Sequence, residues 1–344
     1  MMINRLMRRT VLALTIALLT ACTEDMTAPD TESTTTVPPG AELAALSGSW
    51  TTKANYPEIA TGGSALAMVP NAQGQSMLYV IAGQSSSGGP VSRVRVYNVA
   101  TNSWSRRAEY PITAYNTNGA AVIKGKIYVS GGVRDFHFYR SQLYMYDPAT
   151  NEWTEKRSMP TPTWGGITGV INNKLYVLTC VHQEDCFTLN EGLELYRYDP
   201  LTDQWTDLGT SPPQGVRPMG GTIGGKLYFT GGENERSGPL MTAYDPITNQ
   251  WTRKTPLNHV RIEGGFATYN ARLYIFGGWE TPGDGTRTFV RTVNIYNPTN
   301  NAWSKATPLP TARSGHSAQR VFLNGKPRIE VVGGAKPDNL QFTP

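Results

Sequence analysis

Three arginines stand in comparable places along this 344-residue chain. Arg217, Arg261 and Arg313 each precede a short run rich in glycine and small residues. Gathered at one place, three guanidiniums suit a carboxylate or another anionic group, which they bind through paired hydrogen bonds. The competing reading is structural: the same arginines pair with Glu233, Glu263 or Glu280 and hold neighbouring units together. Four histidines (His137, His182, His259, His316) supply imidazoles, a common metal ligand. No close His/Asp/Glu spacing accompanies them, so no metal site is expected. No Ser/His/Asp constellation, phosphate loop or zinc motif is visible, and no cofactor is expected.

The residues that position these groups begin with a leader. Arg5, Arg8 and Arg9 precede an apolar run, Val11–Leu19, that is too short to span a bilayer. A basic start, an apolar middle and a small-residue exit describe a secretory signal. The exit, Leu19-Thr20-Ala21-Cys22, resembles the bacterial lipobox. That resemblance implies cleavage before Cys22, acylation of Cys22 and a lipid-held envelope protein. With Thr23 rather than Asp next, it implies the outer membrane. The leader accounts for three of the 31 Lys and Arg, leaving 28 cations against 26 acids. No basic patch with interleaved aromatics points to nucleic acid. With Cys22 lipidated, Cys180 and Cys186 remain as an even pair. A local disulfide is expected, with metal ligation as the alternative. The expected division is a signal peptide over 1–21, the lipidated Cys22 and a flexible Thr/Pro/acid-rich tether over 22–46, and one folded domain over 47–344.

Self-similarity dominates the rest. Trp50, Trp104, Trp153, Trp205, Trp251 and Trp303 recur 46–54 residues apart. Polar turns precede five of them: YNVATNSW, YDPATNEW, YDPLTDQW, YDPITNQW and YNPTNNAW. Glycine pairs at Gly131-Gly132, Gly231-Gly232, Gly277-Gly278 and Gly333-Gly334 close apolar strands, with Ala82-Gly83 and Thr179-Cys180 as eroded versions. Short turns such as Lys124-Gly125-Lys126 and Asn324-Gly325-Lys326 read as hairpins that need positive φ.

This grammar, with ARSGHSA at Ala312–Ala318, resembles the kelch repeat. The resemblance covers Ser47 to Phe342 and implies an all-β propeller with four strands to each blade. Six Trp strands and six glycine-pair positions predict six blades. The series opens on a Trp strand and ends after a glycine-pair strand. The strand Gly48–Lys53 is therefore expected to complete the last blade and remove two open edges.

In such a blade the stereotyped turns share one face, and the variable loops share the other with the inter-blade links. Variable loops on a rigid scaffold are where binding residues collect. That face is expected to hold Arg217, Arg261, Arg313, Arg134, Glu263, Trp164 and Trp279 as ligand-binding candidates. Tyr115 and Phe136 are further aromatic surfaces for sugar or peptide. Three enzymatic relatives are implied by the resemblance, of which the iron-dependent nitrile-specifier group has a metal-ligand cluster that is not visible in this sequence. The copper chemistry of galactose oxidase needs a Tyr–Cys cross-link, which the Cys180/Cys186 pairing removes. The periplasmic N-acetylneuraminate epimerase group is similar in size and blade number. By that likeness GGENER (Gly231–Arg236) offers Glu233 as base and Arg236 as carboxylate clamp. The leading expectation is non-enzymatic: a monomeric, membrane-anchored propeller that binds a protein or glycan through its loop face. The alternative is an epimerase or mutarotase acting on an anionic sugar such as sialic acid.

Overall fold

The computed structural model describes residues 48–344 other than 59, 135–137, 181–192, 212–217, 232–238, 282–285 and 335. These residues form strands and turns only. Among them no helix is long and apolar enough to cross a membrane.

Six four-stranded antiparallel sheets, or blades, account for most of the strands. The first holds Ala65–Pro70, Ser76–Ile81, Val94–Asn98 and Ser103–Arg106. The next four begin with the inner strands Ala120–Ile123, Trp164–Ile171, Met219–Ile223 and Gly265–Tyr269. The sixth joins His316–Leu323, Lys326–Gly333 and Asn339–Thr343 to the N-terminal Ser49–Lys53. Each inner strand contacts the inner strand of the next sheet, and the sixth contacts the first, so the series is a closed ring.

The closure has the register expected of it. Ser49 lies opposite Thr343, Trp50 opposite Phe342 and Lys53 opposite Asn339. Residues about 290 apart in sequence thus complete one ladder, and the outer edge of Asn339–Thr343 is paired. The sequence pattern placed this strand correctly, because a lone Trp strand at the N-terminus has no other sheet to complete.

A three-residue latch repeats between blades. The Asn or Asp two places before five of the six repeat Trp adopts positive φ: Asn102 at 52°, Asn151 at 61°, Asp203 at 54°, Asn249 at 54° and Asn301 at 52°. Its side-chain oxygen accepts from the Tyr hydroxyl of the preceding strand, as in Tyr146 Oη to Asn151 Oδ1 at 2.7 Å and Tyr296 Oη to Asn301 Oδ1 at 2.6 Å. The same oxygen accepts from a backbone N–H in the neighbouring blade, as from Ala108 at 2.9 Å and Thr255 at 3.0 Å. The carbonyl of that neighbouring residue in turn accepts from the Trp indole: Trp153 to Ala108 at 3.1 Å, Trp303 to Thr255 at 2.8 Å. The indole ring packs on the latch Tyr, with centroids 4.9 Å apart for Tyr146–Trp153 and 5.2 Å for Tyr296–Trp303. At the closing blade Phe342 takes the place of Tyr against Trp50, at 4.9 Å, and Trp50 Nε1 donates to Thr307 O at 3.1 Å. One residue type thus satisfies a turn, a buried hydroxyl and a neighbour's backbone. Asn and Asp tolerate this backbone region and carry the needed acceptor, which explains their recurrence.

Asn301→Ala is therefore expected to cost about 2–3 kcal/mol. The Tyr296 hydroxyl loses its acceptor, and a Cβ without side-chain compensation sits at positive φ. Asn301→Asp retains the acceptor and is expected to fall within about 0.5 kcal/mol of wild type. Urea unfolding of the two variants checks this. Equal losses in both would show that the acceptor is not what matters.

The glycine pairs sit where one blade meets the link into the next. A Cβ on Gly277 would lie 2.8 Å from Arg313 O, and Gly278 N donates to the same carbonyl at 2.8 Å. The eroded Ala82 accepts φ of 58° at that place. The hairpin turns are also as expected: Lys124 and Gly125 have φ of 48° and 75°, and Asn324 and Gly325 have 52° and 71°.

Candidate functional site

The inner strands of the six blades surround a cavity of about 380 Å³. Its wall is mostly small or neutral, with Leu66, Ala120, Thr168, Gly220, Phe266 and Gln319 representing the six strands. The described lining contains one cation, Arg320, and no carboxylate. His316 also borders it but is buried, and Gly265 N donates to its Nε2 at 3.1 Å. Burial, reinforced by the Arg313 charge, holds its pKa down at about 3, so the imidazole is neutral near pH 7. The His at this place fills a packing site and is not a free ligand. Among the described residues no group of three His, Cys, Asp or Glu could hold a metal.

Two of the three arginines can be placed. Arg261 lies in a short strand, Val260–Ile262, paired with Trp279–Thr281. Its side chain is 3% exposed and contacts Glu280 Oε1 at 3.2 Å and Gly277 O at 3.0 Å. Burial pulls its pKa down and Glu280 opposes that shift. Arg313 is fully buried, pairs with Asp338 and donates to Thr311 Oγ1 at 3.2 Å. Neither arginine lines the cavity. Each pairs within its own blade, joining the link before an inner strand to the loop after the second strand. Glu280 was among the partners considered from sequence; Asp338 was not, because nothing in its loop marks it. Arg217, Glu233 and Arg236 lie outside the described residues, as do His137, His182, Phe136 and Cys22.

The aromatic candidates separate by exposure. Trp164 is buried and stacks on Tyr139 at 6.0 Å, and Tyr115 is also buried. Trp279 is only partly buried. Its Nε1 donates to Glu263 Oε2 at 3.1 Å, and Glu263 itself holds φ of 55°. Trp279 also packs against Phe289, with centroids 3.7 Å apart. Phe289 is 50% exposed and lies opposite Trp279 in the register of a small three-stranded sheet: Val260–Ile262, Trp279–Thr281 and Thr288–Phe289. Arg261–Glu280 and Glu263–Trp279 therefore brace one raised element of the loop face. Phe289 was not singled out from sequence; its only signal was an aromatic in a variable loop. Arg134, in another second-to-third loop, is exposed, and its backbone N–H closes that loop on Phe138 O at 2.9 Å. Phe138 is 63% exposed on the same face. His259 is exposed there too. Cys180 is buried and disulfide-bonded, while Cys186 lies outside the described residues.

A closed ring of four-stranded sheets, with uniform turns on one face and braced variable loops on the other, defines a β-propeller scaffold. The chain belongs to the kelch-repeat family. The family model described as the KLHDC2/KLHL20/DRC7 Kelch-repeats domain matches residues 63–263, and the Kelch motif matches 263–310. Kelch-like protein 36 of Bos taurus is 30% identical over 263 residues, covering 74% of this chain and 33% of its own length. Kelch-like protein 21 of Rattus norvegicus is 25% identical over 294 residues, covering 75% of this chain and 48% of its own length. The chain thus spans about a third to a half of the length of these relatives. The solved structure of YjhT superposes with a TM-score of 0.64 at 19% identity, covering 84% of this chain and 95% of that one. At that identity the likeness concerns the fold.

Proposed function

We propose that this chain is a non-catalytic binding module, held at a bacterial envelope membrane by lipid on Cys22, that engages a protein or glycan through its loop face. One observation carries the reading. Trp279 and Phe289 form an aromatic platform fixed from beneath by Glu263 and by the Arg261–Glu280 pair. A preformed, partly exposed aromatic pair binds with little ordering cost, because its side chains are already held. Arg261 and Arg313 already have carboxylate partners, so neither is spare for an anionic sugar.

The test is a binding screen against glycans and envelope proteins with the full chain, followed by Phe289→Ala on every hit. Phe289 is half-exposed, so its loss is expected to leave the melting temperature within a few degrees. It is expected to weaken binding at least about tenfold, as for an aromatic anchor at an interface. Unchanged affinity for all ligands would sink the platform. Enzymatic anomer exchange on sialic acid, lost in Glu233→Gln, would replace the binding reading with a catalytic one.

A further inference from the structure

The face opposite the platform is not electrically uniform. On the second, third and fourth blades the turn lysines are matched: Lys126 with Asp147, Lys174 with Asp199 at 2.5 Å and Lys226 with Asp245 at 2.8 Å. These Asp side chains also cap their own turns, as Asp245 Oδ1 does by accepting from Ile247 N at 2.9 Å. On the fifth and first blades the corresponding third-to-fourth turns, Asn297–Asn301 and Asn98–Asn102, carry no acid. The sixth blade has no such turn, because the chain is open there. Arg272 of the fifth blade and Arg320, Lys326 and Arg328 of the sixth lie toward this side, and among the described residues none has a carboxylate partner. Arg320 and Lys326 are exposed. Arg320 also sits over the ring of Phe322, at 5.4 Å, and Phe322 is 38% exposed.

The chain ends of the ring emerge beside this patch. Thr343 closes the third strand of the sixth blade and Ser49 opens the fourth, opposite it. Gly48 therefore leaves from the turn face, two strands from Arg328, which lies opposite Val321. Twenty-five residues lie between Cys22 and Gly48. A lipid on Cys22 would keep this face, rather than the loop face, close to headgroups.

We propose that the turn face of the fifth and sixth blades docks on anionic phospholipid headgroups through Arg272, Arg320, Lys326 and Arg328, with Phe322 at the interface. This rests on the lipid-anchor reading above and deepens it: the docked propeller turns its Trp279–Phe289 platform away from the membrane. Clustered cations next to a membrane attach electrostatically, and an exposed aromatic among them adds apolar contact with the acyl boundary.

The chain from Thr23 onward lacks leader and lipid but keeps the whole closed ring, so it tests docking apart from anchoring. In vesicle flotation it is expected to bind phosphatidylglycerol-containing vesicles, to ignore pure phosphatidylcholine, and to be released by salt. Arg320→Glu combined with Lys326→Glu is expected to weaken that binding more than about tenfold, at about fivefold for each cation lost. Phe289→Ala, on the other face, is expected to change nothing. Equal binding to both vesicle types, no binding, or binding indifferent to the double reversal would each overturn the docking proposal. The anchor is read separately, by incorporation of labelled fatty acid into the full chain and its loss in Cys22→Ala. Failure of that labelling removes the anchor and leaves the vesicle result to stand by itself.

Discussion

Trp50→Ala is expected to lower the melting temperature by roughly 6–12 °C and to loosen the ring at one place. The indole packs on Phe342 at 4.9 Å and edge-on to Phe276 at 5.9 Å, and Nε1 donates to Thr307 O. Truncating a fully buried Trp costs about 3–5 kcal/mol; Trp50 is only half-buried, so about 3 kcal/mol is expected. For a domain of this size each kcal/mol shifts the midpoint by about 2–4 °C. The consequence differs from that of the equivalent Trp303→Ala. Trp303 lies on a strand, Ala302–Ala306, joined to its partner Val293–Asn297 by a tight turn. Trp50 lies on a strand whose only connection to its sheet is the ladder itself, five residue pairs from Ser49↔Thr343 to Lys53↔Asn339. Without Trp50 that strand should open locally, exposing the edge of Asn339–Thr343. Hydrogen exchange of the Asn339–Thr343 amides is expected to accelerate well beyond the global change in Trp50→Ala, and only in proportion to stability in Trp303→Ala. Matching exchange in the two variants would mean that the closure is no weaker than any other joint.

Glu330→Gln is expected to stabilise the protein at pH 8 by up to about 3 kcal/mol and to change little at pH 4. Glu330 is fully buried in the closing blade, opposite Gln341, whose Nε2 donates to its Oε1 at 2.6 Å. Its Oε2 and both polar atoms of the neighbouring Asn339 lack well-formed hydrogen bonds. Burial raises the carboxyl pKa to about 7, against smaller lowering contributions from Gln341, Lys53 and Asn339. Below the ordinary value near 4.5, folded and unfolded chains both carry the proton. Between 4.5 and about 7 only the folded chain keeps it, so stability falls as pH rises through that window. Above about 7 the folded chain holds a buried carboxylate, at a cost of about 3 kcal/mol by the size of the shift. Gln is neutral throughout and removes that fall. His316 acts in the opposite sense: its stabilisation is present above 6.5 and is lost as pH falls toward about 3. Because His316 is common to both proteins, the difference between their urea midpoints at each pH isolates Glu330. A variant no more stable than wild type at pH 8 would show that Lys53 and Gln341 already satisfy the charge.

These two residues mark the line between what is local and what is not. Trp50 was legible because it repeats. Six Trp at a near-constant interval, five of them after a turn of fixed grammar, define a blade without reference to anything outside it, and the odd count of strands at each end demands that the ends meet. Asn301 and its equivalents were legible as turn residues, for the same reason. That their side chains also reach the neighbouring blade follows only once the ring sets two blades side by side.

Glu330 carries no such signal. In sequence it is a lone acid in the apolar strand RIEVVGG, and its burial depends on Gln341 and on a strand some 280 residues earlier. Arg261 and Arg313 show the same limit. Their types and places announced a capacity to hold carboxylates, and they do hold them. Whether those carboxylates belong to a ligand or to this chain is decided by distance, and Glu280 and Asp338 stand within reach. By itself the sequence determined the repeat, the turns, the strand that closes the ring and the face on which variation gathers, because each depends on short-range spacing. Tertiary structure alone decided which charged side chains are already satisfied, that Trp279 and Phe289 form one braced platform, and that the unmatched cations lie at the root of the N-terminal segment. Those outcomes depend on side chains brought together from distant repeats, where the spacing along the chain carries no information.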